Sequence, residues 1–125
     1  MTIVDTCYLI DLMKGDAGAE EITRLHNPLR TTAISSAEFL YGVKKSGRKK
    51  EYDLAEKFLG FFPILSFDAE SAVIYARIAH TLSENGRRIS SFDELIASIA
   101  IRHDEPLVTR DRHFHAVDGL DIISY

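Results

Sequence analysis

The chain predicts an α/β fold built on a parallel sheet covered on both faces. Two observations lead there. Short β-branched or apolar runs alternate with helical patterns from end to end. Two of those runs, Ile3-Val4 and Leu107-Val108, are apolar without alternation, as strands buried on both faces require. At 125 residues the sequence fits one domain spanning 1–125.

The first strand ends at Asp5, and an apolar helical pattern starts at once. Thr6 is the expected N-cap of a short helix, Thr6 to Lys14, which stops at Gly15. A second helix, Ala17 to His26, turns Ile22 and Leu25 inward and ends at Asn27-Pro28. Arg30 to Ile34 reads as strand two. Ser35-Ser36-Ala37-Glu38 opens the third helix, which Gly47 ends. The fourth helix, Glu51 to Gly60, presents Leu54, Ala55, Phe58 and Leu59 on one side. Pro63 precedes strand three, Ile64 to Phe67. Asp68 caps a longer fifth helix to about Asn85, with Ala72, Val73, Ala76, Ala79 and Leu82 as its inner face. Ser90-Ser91-Phe92-Asp93-Glu94 opens the sixth, with Leu95, Ile96, Ile99 and Ala100 toward the core. Leu107-Val108-Thr109 is strand four, Asp111 to Phe114 one helical turn, and Asp121 to Tyr125 strand five.

Composition bounds the function. A net charge of −4 argues against a global basic field for nucleic acid, although excess acids can serve a metal. The single cysteine, Cys7, suits a reducing compartment. No apolar stretch approaches the roughly 20 residues of a membrane span, and the N-terminus carries no signal-peptide pattern, so a cytoplasmic protein is expected.

Four acids occupy equivalent places. Asp5 follows strand one, Glu38 lies in the first turn after strand two, Asp93 opens the helix before strand four, and Asp111 follows strand four. Each has a local explanation. Ser35-x-x-Glu38 and Ser91-x-x-Glu94 match capping boxes, Asp93 complements a helix dipole, and Asp111 suits a turn. Asp5 is harder to explain locally, because a carboxylate at the end of a buried strand is costly without a partner. Together at one strand-end crevice, the four would repel one another unless a hard cation, Mg²⁺ or Mn²⁺, sat among them. Thr6 and Thr109 are candidates to brace them, and Arg110 and Arg112 flank Asp111 as candidates for a scissile phosphate. The basic group Lys44 to Lys50 reads as a solvated helix end. His113-x-His115 reads as surface or packing, and His26, His80 and His103 as structural. Phe39, Leu40, Tyr41, Tyr52, Phe58, Phe61 and Phe62 exceed what one helical face can hide, so a groove or dimer face is expected.

The motifs Ile3-Val4-Asp5-Thr6, Ser36-Ala37-Glu38-Phe39-Leu40-Tyr41-Gly42, Asp93-Glu94-Leu95-Ile96-Ala97 and Leu107-Val108-Thr109-Arg110-Asp111-Arg112-His113-Phe114 together resemble a PIN domain, and within that family the VapC-type toxin ribonucleases. The chain departs from the pattern at Cys7, where Asn or Ser is common, and at Phe92, where a small residue is common. The resemblance implies a three-layer α/β/α fold with a five-stranded parallel sheet of order 3-2-1-4-5. It implies metal binding and catalysis by Asp5, Glu38, Asp93 and Asp111, with Mg²⁺ as cofactor. It implies RNA as substrate, homodimerisation, and a VapB-type antitoxin segment in a groove near helices three and four. The runner-up is an RNA-processing PIN nuclease outside a toxin–antitoxin system; a PIN domain kept only for binding is disfavoured by the presence of all four acids. A receiver-like signalling domain would need a second acid beside Asp5 and a Lys after strand five, and this sequence shows no such Lys after that strand. A haloacid-dehalogenase-type phosphatase would need Asp where Cys7 stands.

Overall fold

The computed structural model describes all 125 residues, Met1–Tyr125. In order the elements are β1 (Thr2–Val4), α1 (Thr6–Met13), α2 (Ala17–His26), β2 (Leu29–Thr32), α3 (Ala33–Lys44), α4 (Lys49–Leu59), β3 (Ile64–Leu65), α5 (Ala69–Glu84), α6 (Ser91–Arg102), β4 (Leu107–Thr109), a 3-10 turn at Arg112–Ala116, and β5 (Ile122–Ser124). The five strands form one sheet of order β3-β2-β1-β4-β5, and every neighbouring pair is parallel.

The central pair fixes the layers. Ile3 pairs with Leu107 and Val4 with Val108. Successive side chains on a strand point to opposite faces, so each pair feeds a different core. Val4 and Val108 pack with Tyr8, Leu9, Phe39 and Leu59 under α1, α3 and α4. Ile3 and Leu107 pack with Ile78, Leu82, Ile96, Ala100 and Phe114 under α5, α6 and the 3-10 turn. These four strand residues are 0% exposed, which is why their runs show no polar alternation.

Several expected boundaries and faces move. The N-cap of α1 is Asp5, whose Oδ1 accepts the Tyr8 N–H at 2.9 Å; Thr6 is the first helical residue. Strand β2 stops at Thr32, because the Thr32 hydroxyl accepts the Ser35 N–H at 2.9 Å and starts α3 at Ala33. Glu38 therefore sits in the second turn, and the Ser35 capping box does not form. In α6 the cap is Ser90, which accepts the Asp93 N–H at 3.1 Å, so Asp93 rather than Glu94 holds the third position. Helix α4 starts at Lys49, earlier than Glu51, without a side-chain cap.

Leu25 and Leu54, expected inward, are exposed. The inner face of α5 is Ser71, Ile74, Ile78 and Leu82, while Ala72, Val73 and Ala76 face solvent. Ser71 turns inward because its N–H and hydroxyl both donate to Asp68 Oδ1, each at 2.8 Å, which satisfies a buried polar group at no packing cost. His80 is exposed rather than structural. The aromatic surplus of α3 and α4 divides. Phe39, Phe58 and Phe62 stack in a cluster with ring centroids 5.7 and 5.4 Å apart, while Tyr41 and Phe61 remain exposed. No helix is long and apolar enough to cross a membrane.

Candidate active site

The central strands β1 and β4 end side by side, and each delivers an acid there. Asp5 is held in the sheet by its own N–H, which donates to the Val108 carbonyl at 3.2 Å. Its carboxylate is 2% exposed, and both oxygens are engaged. Oδ1 caps α1, and Oδ2 accepts the Thr109 hydroxyl at 2.5 Å. Burial pushes the Asp5 carboxyl up from 3.8 to about 6. The bonds from Thr109 and Tyr8 oppose that rise, and the charges of Asp93 and Asp111 add to it.

Thr109 links two of the acids. While its hydroxyl donates to Asp5, its oxygen accepts the Asp111 N–H at 2.9 Å. Asp111 in turn caps the 3-10 turn: its Oδ1 accepts the His113 N–H and lies against His113 Nδ1, each at 2.9 Å. On the other side, the Thr6 hydroxyl donates to Glu38 Oε1 at 2.7 Å, which ties α3 to the residue next to Asp5. Burial, together with Asp111 and Glu38, raises the Asp93 carboxyl, against the bond that Ser90 makes. Asp93 thus feels both Asp111 and Glu38, and Asp5 feels both Asp93 and Asp111. The topology carries Asp5 and Asp111 past adjacent strand ends, where Thr109 links them, and leaves Glu38 and Asp93 within reach of their charges. Thr6 and Thr109, each with an ordinary local role available, both bond to carboxylates.

The flanking arginines part company. Arg110 Nε lies 3.1 Å from Asp11 Oδ2, which also accepts the Tyr125 hydroxyl at 2.7 Å; this draws Arg110 toward α1. Arg112 is exposed on the 3-10 turn and forms no ion pair. Cys7 is half-buried beside Asp5. Burial and that charge push its thiol to about 11, so it stays protonated at neutral pH.

Sequence reasoning missed two buried acids that each hold an arginine. Glu94 is 0% exposed and takes a two-pronged contact from Arg88, whose Nε and Nη2 donate at 2.8 and 2.7 Å. An acid at a core-facing position of a helix demands a cation, and the Arg87-Arg88 pair just upstream was the available signal. Asp11 was hidden because its partners, Arg110 and Tyr125, lie at the other end of the chain.

The four carboxylates offer only hard oxygen donors, and two of them are pushed toward protonation where they stand. That set suits a hard divalent cation, which would relieve the repulsion. As the side chains stand, no three of them are grouped closely enough to hold a metal ion by themselves. An ion held there would keep several waters, as Mg²⁺ commonly does.

The PIN domain model matches residues 2–120, nearly the whole chain. The chain belongs to the PIN domain family. Among PIN relatives it is similar to Ribonuclease VapC2 of Rickettsia felis, 33% identical over 80% of this chain and 76% of that protein. Ribonuclease VapC1 of the same organism is 28% identical over 98% of this chain and 94% of its own length. The fold matches that in the crystal structure of VapBC2 from Rickettsia felis bound to a DNA fragment from their promoter. There the TM-score is 0.89 and the identity 26%, over 99% of this chain and 98% of that one. The sheet order expected from the family resemblance is the one observed.

Proposed function

We propose that this PIN domain is a divalent-metal-dependent endoribonuclease of the VapC type, the toxin of a toxin–antitoxin pair. The observation that carries the reading is the Thr109 link between Asp5 and Asp111 at the ends of β1 and β4, with Glu38 tied to Thr6 and Asp93 within reach of their charges, in a chain whose relatives are named ribonucleases. These four residues would hold Mg²⁺, or Mn²⁺ in its place. When bound, the ion supplies charge relief at the scissile phosphate and a more acidic water.

The chain's own residues have separable tasks. Thr109 keeps Asp5 and Asp111 at a fixed spacing. Thr6 occupies one oxygen of Glu38, so the other is left to orient the attacking water and accept its proton. The overall change is hydrolysis. A water oxygen bonds to phosphorus, one P–O ester bond breaks, and the departing sugar oxygen takes up a proton.

The partners follow from the same reading. A groove of about 480 Å³ between α1, α3 and α4 is lined by Ile10, Met13, Phe39 and Val43, and we place the VapB-type antitoxin segment there. The exposed Tyr41, Leu54 and Phe61 supply apolar surface for a homodimer. The Rickettsia felis neighbour was solved as a VapBC2 assembly, which supports the first of these assignments.

The test is RNA cleavage by pure protein with Mg²⁺, with EDTA, and with Asp5→Asn, alongside growth of a bacterium expressing each. Cleavage and growth arrest by the native chain, both lost with Asp5→Asn, are expected. Cleavage that survives Asp5→Asn or EDTA would overturn the site. Cleavage without growth arrest would favour an RNA-processing role over a toxin.

A further inference from the structure

We propose that the RNA backbone reaches the carboxylate crevice across the concavity between the α5–α6 turn and the 3-10 turn, where Arg87 and Arg112 hold a phosphate adjacent to the scissile one. The inference rests on the ribonuclease reading above and gives its substrate a direction of approach.

The concavity measures about 300 Å³ and is lined by Arg87, Arg88, Arg112, His113 and His115 with Ile89 and Ala116, and no acid lines it. Its cations differ in what they are free to do. Arg88 spends Nε and Nη2 on Glu94, and His113 spends Nδ1 on Asp111. Arg87 and Arg112 are exposed and form no ion pair, a state shared only with Arg77 outside this hollow, whereas Arg24, Arg30, Arg48, Arg102 and Arg110 are all paired. An unpaired guanidinium keeps its fork of donors for a phosphate. Arg88, braced by a fully buried Glu94, lines the same hollow.

Position supplies the second argument. Arg112 directly follows Asp111, and His113 touches the Asp111 carboxylate. The cationic hollow therefore borders Asp111. A chain of net charge −4 with a carboxylate crevice repels a polyanion, so the attraction has to be local and close to the chemistry. The other basic hollow, at Lys44, Arg48 and Lys49, is lined also by Asp53 and Glu56, which weaken it as a phosphate track.

The experiment has two readouts. Binding of a short fluorescein-labelled single-stranded RNA of mixed sequence is measured by anisotropy against salt in the Asp5→Asn background, so that nothing is cleaved. Cleavage kinetics are measured in the native background. Arg87→Ala with Arg112→Ala should weaken binding about tenfold and lower the salt slope by about 0.7 for each phosphate that is no longer neutralised. In cleavage it should raise KM and leave kcat within about twofold. Arg87→Lys with Arg112→Lys should recover much of the binding, which a merely structural role would not predict. The control pair Arg24→Ala with Lys57→Ala removes the same charge from exposed sites outside the hollow. If the two alanine pairs give the same binding and salt slope, the proposal is overturned while the nuclease stands. If the native protein binds RNA but never cleaves it, the nuclease reading fails, and the binding arm still decides the track.

Discussion

At the scale of single residues, the account turns on hydroxyls placed between carboxylates. Thr109 is 1% exposed and makes one bond in each direction, to Asp5 and from Asp111. Removing the hydroxyl without changing the shape leaves Asp5 Oδ2 buried without that donor. Thr109→Val should therefore cut RNA cleavage about 10–100-fold with the fold intact, whereas Thr109→Ser should keep most of it. Steady-state kinetics with a circular dichroism check would read this. The Arg88–Glu94 pair predicts an asymmetry in stability. Arg88→Ala strands a carboxylate that is 0% exposed, while Glu94→Gln leaves a guanidinium that is 46% exposed and can return to water. Urea unfolding should rank Arg88→Ala as the more damaging change. Chemistry at this scale was only partly legible in the sequence. The four acids could be named as candidates because each was expected beside a strand end or a helix start, although Glu38 lies one turn further into α3. The opposite fates of Arg110 and Arg112 could not, because Asp11, which decides the matter, lies about a hundred residues away along the chain.

At the scale of elements, caps decide where helices begin and so where acids point. Asp68 caps α5. The Ser71 backbone and hydroxyl bonds, with Arg102 nearby, hold its carboxyl below the usual 3.8. A depressed carboxylate contributes stability above its unfolded pKa and loses it as pH falls through the folded value. Asp68→Ala should thus lower Tm at pH 7, and the gap to the native protein should close below about pH 3–4. Thermal melts across that range check the sign. Helix α2 was readable to the residue because Asp16 caps it and Asn27-Pro28 follows it. Helix α3 was misplaced because Thr32 serves at once as the last residue of a strand and as a cap. The inner face of α5 was misread because alanines at helical spacing mimic a packing face, while the true face begins with a serine whose polarity is satisfied locally.

At the scale of the whole molecule, two cores meet at one pair of strands, and the same pair carries Asp5 and Asp111 past its end. The fold and the site are therefore coupled. Leu107 is 0% exposed in the second core, on the strand that leads to Thr109. Leu107→Ala should cost about 2–5 kcal/mol in urea unfolding, because the rigid sheet cannot collapse around the gap. The layer order was legible as a whole because unalternating apolar strands require cover on both faces. The candidate site could be sought beyond the strand ends because ligands in open α/β sheets bind there. What the chain could not disclose alone was the cationic hollow beside that crevice, which forms only when the α5–α6 turn meets the 3-10 turn.

The most direct test of the central claim is Mn²⁺ binding by the purified protein at neutral pH, followed by the loss of free-ion electron paramagnetic resonance signal. The account predicts saturable uptake by the native chain that Asp5→Asn and Asp93→Asn each weaken strongly. Uptake that is absent, or equal in the native chain and both variants, would contradict it.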